Sequence, residues 1–223
     1  VHVVDCRFRT YNPCVTNLSS PNPPLELLEI ATIIESELAS RLKVLQLPPH
    51  LTESAKYAVM NGGKRVRPAL TLLCCEAVGG TREQALSAAV AVEFMHCFSL
   101  VHDDLPAIDN DDIRRGKPTL HIKSGEAMAL LAGDLLLPVA FSQLITDEYH
   151  SSQQAELTKL LAKATRKMVI GQVYDTLGGL PEHLNAKQQL EEIHCNKTGA
   201  LIQCACEMGA ICGDASLTER NAI

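Results

Sequence analysis

Five carboxylates, Asp103, Asp104, Asp109, Asp111 and Asp112, fall within ten positions directly after an apolar stretch that reads as helix. Ionised acids at the end of a buried helix are costly without a cation, and they meet the negative end of the helix dipole. The pattern asks for positive charge. Oxygen-only donors suit a hard divalent ion, Mg²⁺ or Mn²⁺, which keeps waters and shares a substrate phosphate. Pro106 accounts for the spacing. Its ring would clash with the carbonyl of His102, so the helix must bulge or stop there, and the turn can bring Asp109 back beside Asp103. A bare acidic cluster is more often a solvated loop. An EF-hand is excluded, because no Gly falls where the calcium loop turns.

The basic groups weigh against a mere solvated loop. Gly62-Gly63-Lys64-Arg65-Val66-Arg67-Pro68 sets three cations before a helix whose first position is expected at Pro68. Cations at a helix N-terminus make an anion site suited to phosphate. Arg114-Arg115 forms a second basic pair just after the acids. Two basic clusters and a metal-type acid cluster suggest two phosphorylated groups, one reached through metal and one bound directly. His96 precedes Asp103 by two helical turns, hence on nearly the same face; it reads either as a phosphate donor or as a satisfied core histidine. Lys197-Thr198 lies between apolar stretches, where an anionic ligand or a carboxylate such as Asp175 would serve the ammonium equally well. Gln172 and Asp175 share a helix face and read as a packing pair or a functional one.

These residues need long helices to position them. Leu27, Leu28, Ala31, Ile34, Leu38, Leu42 and Leu45 recur at helical steps and predict a first helix ended by Pro48-Pro49. The pattern predicts further helices from Pro68 to Val78, from Arg82 to Asp104, and over 125–146, 153–176 and 186–212. The Arg82 helix is apolar nearly all round, which marks a central, buried element. Strand signals are sparse, with no Asn-Gly turn between alternating runs. The fold class expected is all-α: a bundle of long, mostly antiparallel helices around an apolar cavity. Residues 1–24, with Pro13, Pro21, Pro23 and Pro24, read as an irregular arm, and 25–223 as one domain. Because the first residue is Val1, the chain is expected to be a fragment or a processed form.

Composition narrows the class of function. The 223 residues are 46% apolar and 21% charged, with a formal net charge of −6. A chain this apolar can fold on its own, and no uncharged apolar run reaches the roughly 18 residues of a membrane-spanning helix. Acidic balance without a basic stretch argues against nucleic acid as the partner. Nine cysteines lie in apolar contexts without zinc spacing, and read as mostly buried thiols in a reducing compartment. The cytoplasm is the expected location, and the arginine-bearing arm leaves organelle targeting open.

From Leu25 to Asp214 the sequence resembles the trans-prenyltransferases, the isoprenyl (polyprenyl) diphosphate synthases that make farnesyl and geranylgeranyl diphosphates. The resemblance is carried in order by Gly62–Pro68, by Asp103-Asp104-Leu105-Pro106-Ala107-Ile108-Asp109, by Arg114-Arg115-Gly116-Lys117-Pro118-Thr119, by Gly171-Gln172-Val173-Tyr174-Asp175 and by Lys197-Thr198-Gly199-Ala200-Leu201. It implies the isoprenoid synthase fold. It implies that Asp103, Asp104 and Asp109 hold Mg²⁺ on the diphosphate of an allylic substrate, which Arg114, Lys197 and Thr198 also serve. Lys64, Arg67, His96 and Arg115 would bind isopentenyl diphosphate, and Gln172 is counted with the substrate-binding residues. The implied reaction ionises the allylic C–O bond, adds the isopentenyl double bond to the cation and loses a proton. Family members are commonly homodimers, and that too is carried over.

In relatives, bulk before the aspartate motif limits product length. Phe98 stands roughly 7.5 Å down the helix axis from Asp103 and about 140° around it, so it faces either the cavity or a neighbouring helix. With Ser99 beside it and two extra residues inside the motif, the pattern resembles the bacterial-type farnesyl synthases and implies a C15 product, with geranylgeranyl or geranyl diphosphate as alternatives. A second aspartate-rich motif is implied beyond Ile223, so the domain is expected to lack its C-terminal third and to turn over poorly. Ser124 and Cys195-Asn196 depart from the family pattern. A non-catalytic subunit of a heteromeric synthase is the rival reading, but such subunits lose the aspartate motif and carry Cys-x-x-x-Cys, which does not occur here.

Overall fold

The computed structural model describes residues 24–223, so the expected arm at 1–24 lies, but for Pro24, outside the described residues. The helices are α1 (Leu25–Lys43), α2 (Pro49–Met60), α3 (Val66–Ala77), α4 (Arg82–Asp103), α5 (Leu120–Ser124), α6 (Glu126–Ser142), α7 (Ser151–Thr176), α8 (Ala186–His194), α9 (Ala200–Cys212) and α10 (Leu217–Ala222). A π turn, Cys195–Gly199, joins α8 to α9, and a small hairpin pairs β1 (Ile113–Arg114) with β2 (Lys117–Pro118).

The helix α4 is the axis of the molecule. A capping box between Thr81 and Gln84 starts it. It packs against α3, α6 and α9, with α1, α2 and α7 touching it further along. Ala88, Ala89, Ala91 and Val92 are all fully buried, and their small size lets the neighbouring helices approach closely. This helix is long and apolar enough to cross a membrane, yet 67% of its most apolar window is buried inside the fold. Around it, α1 buries Ile30, Ile34, Leu38 and Leu42 at four-residue steps. The face is one residue off the Leu27–Ala31 ridge that the sequence suggested at its start, and Leu28 is exposed.

Several boundaries differ from expectation. Pro48-Pro49 does more than end a helix: Pro49 opens α2, its fixed φ preset for the first turn. The helix α3 begins at Val66 rather than Pro68, so that Pro68 occupies the third position, where its missing N–H is still no loss. The helix α6 ends at Ser142, where the Gln143 side chain turns back to donate to the Val139 carbonyl at 3.1 Å. The single helix expected over 186–212 is interrupted by the π turn, where Asn196 donates its side-chain amide to the Glu192 carbonyl at 2.9 Å. Of the seven described cysteines, Cys75, Cys97, Cys204 and Cys212 are buried and Cys195 is exposed.

Candidate active site

At the C-terminal end of α4 the chain reverses within one turn. The Asp109 amide donates to the Asp103 carbonyl at 2.9 Å, and the Asn110 amide to the Leu105 carbonyl at 3.1 Å. Asn110 takes a positive φ of 54° to close the loop. Asp109 is thereby returned to Asp103. Facing them is Lys197, whose Nζ lies 3.8 Å from Asp109 Oδ2 and donates to Asp175 Oδ2 at 2.6 Å. Of the two partners left open for Lys197, a carboxylate is present. Burial alone would lower the lysine's pKa, but Asp175 and Asp109 outweigh it and hold it above the usual value. Burial pushes the Asp103 carboxyl up to about 6, against the pull of Lys197 and with repulsion from Asp109 added.

Two packing details put Lys197 there. The π turn displaces it from the helical register of α8 and α9. Gly171 on α7 lies so close to the Lys197 backbone that a Cβ at that position would overlap the Lys197 amide nitrogen. Gln172 follows, donating to Asp109 Oδ1 and to Thr176 Oγ1 at 3.0 Å each. Its own carbonyl oxygen, Oε1, is buried with no partner. Thr198 is exposed on the π turn.

These residues stand at the mouth of an apolar cavity of 260 Å³ between α4 and α7, walled by Phe98, Ile108, Met168, Val169 and Val173 among others. The helical rotation left open for Phe98 is decided here: the ring borders the cavity, with Ser99 beside it, and packs edge-on against His102 at 4.8 Å between centroids. Ile108 and Val173 lie within the aspartate and Gly171–Asp175 motifs, but nothing in the sequence marks them as cavity walls. Met168, Val169 and Leu177 carry no signal beyond ordinary helical periodicity.

The structure does not bring Asp104 to the Asp103–Asp109 pair as a third open ligand. One residue on around the helix, it is buried, and its Oδ1 accepts from Arg114 Nε at 2.7 Å and lies 2.6 Å from Nη2. Arg114 also reaches Asp111 at 3.4 Å. Asp104 and Arg114 therefore close on each other, because a buried carboxylate beside a guanidinium is better satisfied than either group alone. The donor set fits a hard cation nonetheless. Asp103, Asp109 and the orphaned Gln172 Oε1 are oxygen ligands near one mouth, though no group of three His, Cys, Asp or Glu side chains is gathered among the described residues.

Seven residues back along α4, about 10 Å away, a second cavity of 610 Å³ is lined by Lys64, Arg65, Arg67, Arg115, Lys117, His96 and Glu93. Gly62 and Gly63, at φ of 87° and 125°, lead the chain in. Arg115 sits at the first position of a two-residue hairpin turn, with Gly116 second; their φ values of 54° and 74° make it the primed kind that matches strand twist. Its guanidinium donates to the Gly62 carbonyl and fills the space where a Gly63 Cβ would sit. Arg67 Nη1 donates to His96 Nε2 at 3.3 Å. Burial and the surrounding arginines push the His96 pKa down to about 3, so the ring is neutral and steers Arg67. Arg67 Nε is buried with no acceptor. Arg65 turns inward instead of joining an anion-facing trio, and is paired with Glu93.

A helical bundle with a carboxylate-lysine mouth over an apolar cavity, and a cationic cavity on the same central helix, has the architecture of the isoprenoid synthase fold. The chain belongs to the polyprenyl synthetase family, whose model matches residues 48–223. It is 44% identical over 169 residues to geranylgeranyl pyrophosphate synthase 4 of Arabidopsis thaliana, covering 74% of this chain and 45% of that protein. To the heterodimeric geranylgeranyl pyrophosphate synthase large subunit 2 of the same plant it is 43% identical over 179 residues, 79% of this chain and 48% of that one. The chain thus spans about half the length of these relatives. Among solved structures, an FPP/GFPP synthase from Zymomonas mobilis superposes with a TM-score of 0.81 at 37% identity, over 88% of this chain and 73% of that one. A geranyltransferase from Legionella pneumophila gives 0.82 at 34% identity, over 89% and 71%.

Proposed function

We propose that this chain carries the substrate sites of a prenyltransferase that condenses isopentenyl diphosphate with an allylic diphosphate. The observation that carries the proposal is the placement of two charged sites of opposite sign on one central helix: Lys64, Arg67 and Arg115 line one cavity, and Asp103 stands at the mouth of the other beside Asp109 and Lys197. The first suits a diphosphate bound directly and the second a diphosphate bound through a divalent ion.

Each group then has a defined task. Lys64, Arg67 and Arg115 hold the isopentenyl diphosphate, with neutral His96 fixing the direction of Arg67. Asp103, Asp109 and Gln172 Oε1 would hold Mg²⁺, which would neutralise the charge developing on the leaving diphosphate. Lys197 sits where it can donate to that diphosphate once it exchanges Asp175 for the stronger anion. The walls of the smaller cavity exclude water from the carbocation and offer it no nucleophile. The same residues would serve the catalytic partner of a heteromeric synthase or both halves of a homodimer.

Isothermal titration tests the two sites separately. Isopentenyl diphosphate should bind without metal, and Arg67→Ala should weaken it more than tenfold. A non-ionising allylic thiodiphosphate should bind only with Mg²⁺, and Asp109→Asn should remove that binding. Competition of both ligands for one site would overturn the proposal.

For product length, we propose geranylgeranyl diphosphate, on the strength of the names of the plant relatives. The farnesyl product expected from the sequence remains the second reading, because Phe98 does border the cavity. In an otherwise complete enzyme carrying this site, chromatography of the products made from a farnesyl primer separates them: C20 product supports the first, and C15 accumulation from a geranyl primer supports the second. Under either reading Phe98→Ala in that complete enzyme should lengthen the product.

A further inference from the structure

We propose that Glu93 is a positioning residue for the cationic cavity: through its buried ion pair with Arg65 it sets the turn that presents Lys64 and Arg67 to a diphosphate. The inference rests on the reading of that cavity as a diphosphate site.

Arg65 is the odd member of the basic run. It takes a left-handed φ of 48°, a conformation strained for a residue with a Cβ, and only 2% of it is exposed. Its guanidinium is tied to three helices. Nη1 donates to Glu93 Oε1 on α4 at 2.6 Å, and Nη2 donates to the Val59 carbonyl of α2 at 2.8 Å and to Glu35 Oε1 of α1 at 3.3 Å. Its carbonyl accepts from the Ala69 amide at 3.1 Å, so the same residue opens α3. With Arg65 pinned inward, its neighbours are turned outward: Lys64 is exposed, and Arg67 reaches the cavity from the second turn position of α3.

The spacing on α4 matches this division of labour. Glu93 and His96 are three apart, on one face of the helix. Glu93 takes Arg65 and His96 takes Arg67, so a single rigid helix sets the direction of both arginines. As a source of stability the pair is a poor choice, since a buried ion pair often does no better than an apolar pair of similar volume. What an apolar pair would not do is hold a strained backbone in one rotation.

Electrostatics alone predicts the opposite sign for the decisive variant, which makes the inference testable. Glu93→Gln removes the only carboxylate among the described residues lining the cavity. If Glu93 acted merely as a charge, this variant would bind an anion more tightly. As a positioning residue its loss should raise the Kd for inorganic pyrophosphate, measured without metal by titration calorimetry on the full 223-residue chain, by about tenfold. The double variant Arg65→Met with Glu93→Leu should keep the wild-type helical content and cooperative unfolding and still show the tenfold loss. Tighter or unchanged binding in Glu93→Gln, or wild-type binding in the folded double variant, would overturn the inference and leave the diphosphate reading standing. Absence of pyrophosphate binding in the unaltered chain would overturn that reading, and the inference with it.

Discussion

At Asp103 the fold works against the charge that the site needs. Its carboxyl is pushed up to about 6 chiefly by burial, with Asp109 adding repulsion and Lys197 offsetting part of it. The folded chain therefore holds this proton more tightly than the unfolded chain, whose aspartates titrate near 3.9. Ionisation opposes folding: the cost is absent below about pH 4 and complete above about pH 6. Without divalent metal, Asp103→Asn should raise stability by on the order of 1–2 kcal/mol at pH 8, solvent screening of a partly exposed group trimming the full linkage value. The gain should vanish near pH 4. Melting temperatures of the two proteins across that range give the check, and a gain independent of pH would reject this account. His96 behaves otherwise. Held neutral by burial and its arginine neighbours, it should contribute nothing to the pH dependence of anion binding between pH 5 and 8, and a titration of isopentenyl diphosphate binding with an inflection near 6.5 that His96→Gln removes would contradict this. Residue types and order disclosed the acids, Lys64, Arg67 and Lys197. They did not disclose that Asp104 is closed by Arg114 or that Arg65 is turned inward, because a charged side chain has no periodicity that tells whether its partner is a ligand or another residue.

Among the elements, the π turn and the helix beside it show how one glycine places Lys197 against the carboxylates. Gly171 lets the Lys197 backbone lie against α7, and Asp175, one turn further along α7, then meets the ammonium. Gly171→Ala inserts a methyl where the Lys197 backbone already lies, with no flexible side chain to yield. The expected cost is about 2–3 kcal/mol, read as a lower urea midpoint, with loss of the Mg²⁺-dependent binding of an allylic analogue. A neutral Gly171→Ala would mean that the two helices can separate freely. From the sequence, 186–212 reads as one helix, since a π turn adds a residue without disturbing the apolar pattern on either side enough to see. The hairpin around Arg115-Gly116 was missed for a related reason. Its turn is of the kind that favours Asn-Gly, and here Arg115 occupies the left-handed position with its guanidinium anchored on the Gly62 carbonyl. The helix α2 is hidden in the sequence because Pro48-Pro49 reads as the end of α1, while Pro49 also opens the next helix.

On the scale of the whole molecule, local and global charge pull in opposite directions. The chain as a whole carries a formal charge of −6, which repels a diphosphate. The larger cavity nevertheless gathers five cationic side chains against the single carboxylate of Glu93. At close range with partial desolvation, the local field should win. Association of isopentenyl diphosphate should accordingly slow as salt rises, by several-fold between 0.01 M and 1 M, where the screening length shrinks from about 30 Å to about 3 Å. Stopped-flow rates that increase with salt would show the net charge in command. The order of charged motifs, the helical class and the apolar character of α4 are determined by sequence alone, because each depends on residues near one another along the chain. Tertiary structure decided the rest: which acid stays open, which arginine is turned inward, and that Phe98 borders the cavity. Those outcomes depend on contacts between α1, α2, α4 and α7 that are remote along the chain, and on the rotation of each helix about its own axis, which only packing against its neighbours can set.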